Sequence, residues 1–249
     1  MYPDTELYPA PYFDKKELSV NYESVRKEGF QIDLFLPHKK NSPVFGMNLA
    51  MAWPLPSSLK KAYKNLFIQL STFSPIVYAY PYEQTHITIL TLLNFKKHTK
   101  PSWNDKKISK YIPEILEIVS NELAKGSGNE YKPFTIDVGW PILFKDAAIL
   151  PILNPTGEVL RLRDNIVPLL KKKIPEDILE IGVPQGIHTT VLRFLQPPTN
   201  PEKFIENFES MAKKHYIGEG VINEFLLTSE TRPYMLDGER LHHFQLGEK

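Results

Sequence analysis

His86-Ile87-Thr88-Ile89 and His188-Thr189-Thr190-Val191 are the same four-residue pattern, His-x-Thr-apolar, written twice in one chain, the second copy starting 102 positions after the first. Each copy sits in a run whose apolar residues alternate as in a strand. Side chains on a strand point to opposite faces in turn, so His86 shares a face with Thr88, and His188 with Thr190. Ile87 and Ile89 then point the other way, into a core. One imidazole and one hydroxyl project together from each strand.

The stretches around the two copies echo each other. Val44 to Trp53 reads as a strand stopped by Pro54, and Phe134 to Trp140 as one stopped by Pro141. A helix capped by Ser57 or Ser58 runs to about Leu70, and strands follow at Ile76 to Tyr80 and His86 to Leu93. A helix opened by Ser102 or Asn104 is interrupted at Pro113. Lys125-Gly126-Ser127-Gly128-Asn129 is the clearest breaker and marks a lobe boundary. In the second half Ala147 to Leu153 reads as a strand, which Pro151 confines to an edge. Asn154-Pro155-Thr156-Gly157 is a turn, Glu158 starts a helix limited by Pro168, and Ile187 to Leu195 is the second motif strand. Asn200-Pro201 caps a helix to about Lys214. Val221 to Thr228 and Arg240 to Leu246 close the chain as strands joined by a long connection. Residues 1–43 form an N-terminal arm with a short helix from Asp14 to Lys27. The fold class is α+β: two pseudo-symmetric lobes, about 44–125 and 130–249, each an antiparallel sheet with flanking helices around a central cleft.

Composition narrows the chemistry. The chain has 249 residues and no cysteine, which excludes thiol nucleophiles, disulfides and Cys-based zinc sites. A net charge of +1 gives no overall basic field for long duplex nucleic acid. Short lysine runs such as Lys60-Lys61, Lys96-Lys97 and Lys171-Lys172-Lys173 read as solvated helix faces and loop ends. Met1 to Phe13 lacks the basic and apolar regions of a signal peptide, and no apolar run approaches a membrane span. The sequence predicts a soluble, cytoplasmic protein; its oligomeric state is not encoded in any motif.

Two histidines facing each other across a cleft suit phosphodiester cleavage without a metal or other cofactor. One neutral imidazole takes a proton from the nucleophile, and the other, protonated, gives one to the leaving oxygen. The threonine hydroxyls can hydrogen-bond the non-bridging phosphate oxygens, where charge grows in the transition state. These motifs resemble those of the 2H phosphoesterase superfamily, with His86-Ile87-Thr88-Ile89 as its first motif and His188-Thr189-Thr190-Val191 as its second. The resemblance spans about residues 44 to 246 in layout and does not include the arm. It implies a bilobal α+β fold, His86, Thr88, His188 and Thr190 as catalytic groups, and a nucleotide or short RNA as substrate. Hydrolysis of a 2′,3′-cyclic phosphate, exonucleolytic release of a cyclic phosphate, and nucleotide binding without turnover all use the same four residues.

Further candidates for binding substrate are Trp53, Tyr82, Trp140, Arg193 and Tyr234; the aromatic rings, and with them Tyr80, can stack a base. Arg193 has the opposite strand parity from His188, which puts it behind the site or in solvent. His242-His243 points to two faces of one strand and makes no metal site.

Overall fold

In a computed structural model, which describes residues 12–36, 42–96, 108–124 and 131–247, each motif opens a strand, and the two strands belong to different sheets. Strand β1 is Gly46–Met51, β2 is Val77–Ala79 and β3 is Ile87–Leu93. The second half supplies β4 (Phe134–Val138), β5 (Ile142–Leu143), β6 (Ala147–Leu153), β7 (His188–Phe194), β8 (Gly218–Ile222), β9 (Glu224–Arg232) and β10 (Asp237–Gln245). One sheet has the order β10-β9-β1-β3; the other runs β2-β7-β6-β4-β8, with β5 also paired to β6. All the pairings are antiparallel. The architecture is two-lobed α+β, as the alternation of strand and helix patterns predicts.

The sheets do not divide between the halves of the chain that the expected lobe boundary separates. β9 and β10 return to the sheet that holds β1 and β3, and β2 of the first half joins β7 of the second. Leu49 lies between Leu90 and Leu227, so the central strand of the first sheet is covered from both ends of the chain. The closing strands also differ from expectation. Val221 to Thr228 is the end of β8 and the start of β9, and the link from β9 to β10 is one short turn at Pro233–Met235.

Helices are α1 (Glu23–Glu28), α2 (Lys60–Ser71), α3 (Ile112–Leu123), α4 (Glu158–Lys173) and α5 (Pro201–Ala212). The helix expected from Asp14 forms only at its end. Asp14 and Asn21 use their side chains to accept the N–H of Lys16 and Glu23, at 2.8 and 3.0 Å, which favours turns over helix there. Pro113 lies in the first turn of α3, where its missing N–H costs nothing. Ser102, Asn104 and the breaker at 125–129 lie outside the described residues. α4 runs through Pro168, and Asn200 caps α5 by accepting the Lys203 N–H at 3.0 Å.

Pro151 is not on an edge, because β6 lies between β7 and β4. The Pro151 carbonyl accepts the Gly139 N–H at 3.0 Å, so the proline nitrogen faces the same side. That side is where the chain crosses from β4 to β5, between the paired positions 152 and 149, and no ladder bond is required of it.

Both motif strands carry a β-bulge at the fourth position of the motif. Across β1 and β3, Ala50 pairs with Thr88 and Leu49 with Leu90, which leaves Ile89 as the extra residue. Across β6 and β7, Ile149 pairs with Thr190 and Ala148 with Leu192, which leaves Val191. The alternation therefore slips by one residue. Ile89 and Leu90 are both buried, as are Val191 and Leu192. Neither bulge carbonyl is left unpaired. Ile89 accepts the Arg163 Nε–H at 2.9 Å, and Val191 accepts the Tyr80 N–H at 3.0 Å.

Strict alternation from His188 would place Leu192 in the cleft; the bulge turns it into the core, with no exposed surface. Leu192→Ala is therefore expected to cost about 2–5 kcal/mol in urea unfolding, the range for a buried leucine. A loss under about 0.5 kcal/mol, as at a surface position, would mean that the strand has no bulge.

Candidate active site

β3 and β7 approach each other across a cavity of about 240 Å3. His86, Thr88, His188 and Thr190 all line it, as the repeated motif predicts. Because of the bulges, the next side chains to reach it are Thr91 on β3 and Arg193 on β7, each three residues after the motif threonine. Arg193 is thus neither behind the site nor in solvent. The wall is completed by Asn48, Tyr80, Asn94, Phe95, Lys96, Pro184, Glu230, Tyr234 and Met235. A larger groove of about 750 Å3 adjoins it, sharing Thr91, Asn94 and Pro184 and continuing along the 174–184 segment.

The two histidines are held alike. His86 Nδ1 lies 3.0 Å from the Gln84 carbonyl. A carbonyl only accepts, so Nδ1 carries the proton and Nε2 keeps its lone pair. His188 bonds the carbonyl of Gly186, again two residues upstream. Burial lowers both imidazoles to about 4, with Arg193 pushing the same way. His86 also depresses His188, so the rings are within electrostatic reach of each other.

Arg193 sits in a polar and aromatic frame. Its guanidinium is 4.0 Å from the centre of the Tyr234 ring, and its Nη1 is 3.7 Å from Asp33 Oδ2. Tyr80 lies beside it; burial pushes that phenol up to about 12 against the pull of the cation. The buried Arg193 Nε–H has no acceptor among the described residues. Glu230 is the other ionisable group deep in the wall. Burial pushes it up to about 7, although Asn48 Nδ2 donates to Oε1 at 2.6 Å and the Met235 N–H donates to Oε2 at 3.1 Å. Lys96 lies 5.0 Å from the Tyr234 ring centre, its pKa lowered by burial and by Arg193.

Three of the expected stacking residues are elsewhere. Trp53 packs under Arg240, 5.5 Å from its ring centre, in a separate groove. Tyr82 lines that same groove with its hydroxyl turned inward to donate to the Leu55 carbonyl at 2.5 Å. Trp140 is buried and donates Nε1–H to the Asp14 carbonyl at 2.7 Å. Tyr82 and Trp140 are drawn into burial, and Trp53 is covered by an arginine, instead of facing the cavity. Tyr234 and Tyr80 alone of the five reach the cavity.

Asn48, Lys96 and Glu230 carried weaker signals. Asn48 is the one polar side chain in the otherwise apolar Met47-Asn48-Leu49-Ala50-Met51, a run buried on both faces. Lys96 belongs to a lysine pair that reads as solvated, yet its neighbours Phe35 and Tyr234 draw it over the cavity. Glu230 lies beyond the expected end of its strand. Among the described residues no group of three or more His, Asp or Glu is placed to hold a metal ion.

The fold has counterparts of known structure. TT0787 of Thermus thermophilus is 18% identical and superposes with a TM-score of 0.54, over 82% of this chain and all of that one. A structure described as a phosphoesterase matches at 12% identity and TM-score 0.50, over 82% of this chain and 99% of the other. The fold resembles a phosphoesterase. ATU0111 of Agrobacterium tumefaciens, described as a conserved protein of unknown function, matches at 13% identity and TM-score 0.50, over 87% and 91% of the two chains. At these identities the likeness is one of fold. No family model and no curated protein matches the sequence.

The buried histidines make stability pH-dependent. Below pH 6.5 the unfolded chain takes up protons that the folded site, at about 4, still refuses. Their contribution is therefore complete above 6.5 and is lost as pH falls towards 4, on the order of 3 kcal/mol for each ring. Glu230 runs the other way, because a raised carboxyl stabilises below its ordinary value and loses that as pH rises through 7. In thermal melts, His188→Gln is expected to flatten the fall in Tm between about pH 6.5 and 4. An unchanged slope would mean that His188 titrates as an exposed imidazole.

Proposed function

We propose that this protein is a metal-independent phosphodiesterase of the 2H type, acting on a 2′,3′-cyclic phosphate or a related nucleotide or RNA-end phosphodiester. The observation that carries the reading is the matched geometry of the two motifs around one cavity. Each offers an imidazole fixed by a carbonyl two residues upstream, then a threonine, then a bulge. The fold, similar to that of a phosphoesterase, is consistent with it.

In hydrolysis, water attacks phosphorus in line with the 2′ or 3′ oxygen that leaves. One neutral histidine removes the water proton, the other delivers a proton to the departing oxygen, and a phosphomonoester with a free hydroxyl results. Thr88 and Thr190 donate to the non-bridging oxygens. Arg193, whose buried Nε–H has no acceptor among the described residues, supplies a charged donor to the same phosphate. The small cavity holds the phosphate and ribose, and the adjoining groove receives the base or a further nucleotide.

Both histidines are neutral in the empty site, so the free protein carries the required single proton mainly at acid pH. kcat/KM is expected to fall as pH rises between about 5 and 8. kcat should fall only at higher pH, because a bound phosphate anion stabilises the imidazolium. Incubation with 2′,3′-cyclic mononucleotides and short RNAs in EDTA tests the reaction. His86→Ala and His188→Ala should each lower turnover by at least about 100-fold. Full activity in either variant would remove that histidine from the mechanism, and loss in EDTA alone would count against metal-free chemistry. Release of a cyclic end from RNA would assign transesterification in place of hydrolysis.

A further inference from the structure

The segment before β1 carries neither motif, yet it reaches the site wall. Phe30 packs against Phe194 at the end of β7, ring centres 4.7 Å apart. Asp33 follows, its N–H donating to the Phe194 carbonyl at 2.8 Å. Its carboxylate is then turned inward, with only 7% of the residue exposed. Oδ1 accepts the N–H of Phe35 and of Leu36, at 2.8 and 2.7 Å. Oδ2 accepts the Tyr234 hydroxyl at 2.5 Å and faces Arg193 Nη1 at 3.7 Å.

Beyond Asp33 the segment stays on the wall. Phe35 meets Phe95 and Tyr234 edge to face, at 5.4 and 6.3 Å. Leu36 packs with Tyr80 and Leu236. Arg193 also has the exposed Asp146 carboxylate 3.9 Å from Nη1, but the buried carboxylate that it shares with Tyr234 comes from the arm. A guanidinium on a long, flexible stem serves a phosphate best when a neighbour has already chosen its rotamer.

We propose that Asp33 is a positioning residue, and that the arm completes the active site by holding Arg193 and Tyr234 in one orientation towards the phosphate. The role rests on the phosphodiesterase reading for its substrate and adds to it a part of the chain that the motifs do not include.

Asp33→Asn keeps an acceptor for the Phe35 and Leu36 N–H groups and removes the buried one of the two charges beside Arg193, leaving the exposed Asp146 carboxylate 3.9 Å from Nη1. Its melting temperature should stay within about 3 °C of the parent, while kcat/KM falls about 10- to 100-fold. In an Arg193→Lys background the same change should add less than about two-fold, because both act through one contact. The Arg193 Nε–H resonance, assigned by its loss in Arg193→Lys, should exchange faster with water in Asp33→Asn. Asp33→Ser, which retains a turn acceptor, is the second variant should the first fail to fold. Independent effects in the double variant, or an unchanged Nε–H resonance, would overturn the proposal. If the parent protein turns over no phosphodiester, the functional reading falls, and the resonance still decides whether Asp33 holds Arg193.

Discussion

The site depends on two β-bulges, at Ile89 and Val191. A strand turns successive side chains to opposite faces, so without a bulge each motif would offer only His and Thr to the cleft before its next inward position became a leucine. The extra residue at the fourth motif position of each strand sends that leucine into the core and brings Thr91 or Arg193 to the cavity. An extra residue leaves a carbonyl outside the ladder. The fold meets that need with a buried arginine from α4 in one strand and the Tyr80 amide in the other. β3 gives the cavity a hydroxyl where β7 gives it a guanidinium, and this is where the two similar halves diverge chemically.

Desolvation governs what the cavity can do. It drives both imidazoles to the neutral form and holds Glu230 close to half-protonated near neutral pH. A buried cation is costly unless paired, and Arg193 is kept in place by Asp33, by Asp146 and by two tyrosine rings beside it. Glu230 does related work on the opposite side. It binds Asn48 of β1 and the amide of Met235, and so fixes the turn in which Tyr234 and Met235 adopt left-handed backbone angles. That turn presents the Tyr234 ring to Arg193.

Much of this was legible. Length, pattern and breakers located most of the elements, and the repeated His-x-Thr placed four of the cavity's side chains correctly. Local rules failed where a distant partner reversed them. Pro151 reads as an edge residue because proline lacks a donor, but the chain crossing from β4 to β5 asks for none there. Trp53, Tyr82 and Trp140 read as stacking surfaces, and each is satisfied elsewhere by a backbone or guanidinium partner. Arg193 was misplaced by parity alone. The paired apolar residues Ile89-Leu90 and Val191-Leu192 were the signal of the slip, since two adjacent core residues cannot alternate.

By itself the sequence determined the element types, the α+β class and the facing of histidine with threonine, because these follow from periods of two and 3.6 residues within short windows. Tertiary structure alone decided that β9 lies beside β1 with β10 outside it, that an arm carboxylate lies against Arg193, and that Asn48 and Glu230 share the cavity. Those contacts join residues some 160 to 200 positions apart. Such pairings depend on which surfaces bury each other when the sheets close, and no local period records that.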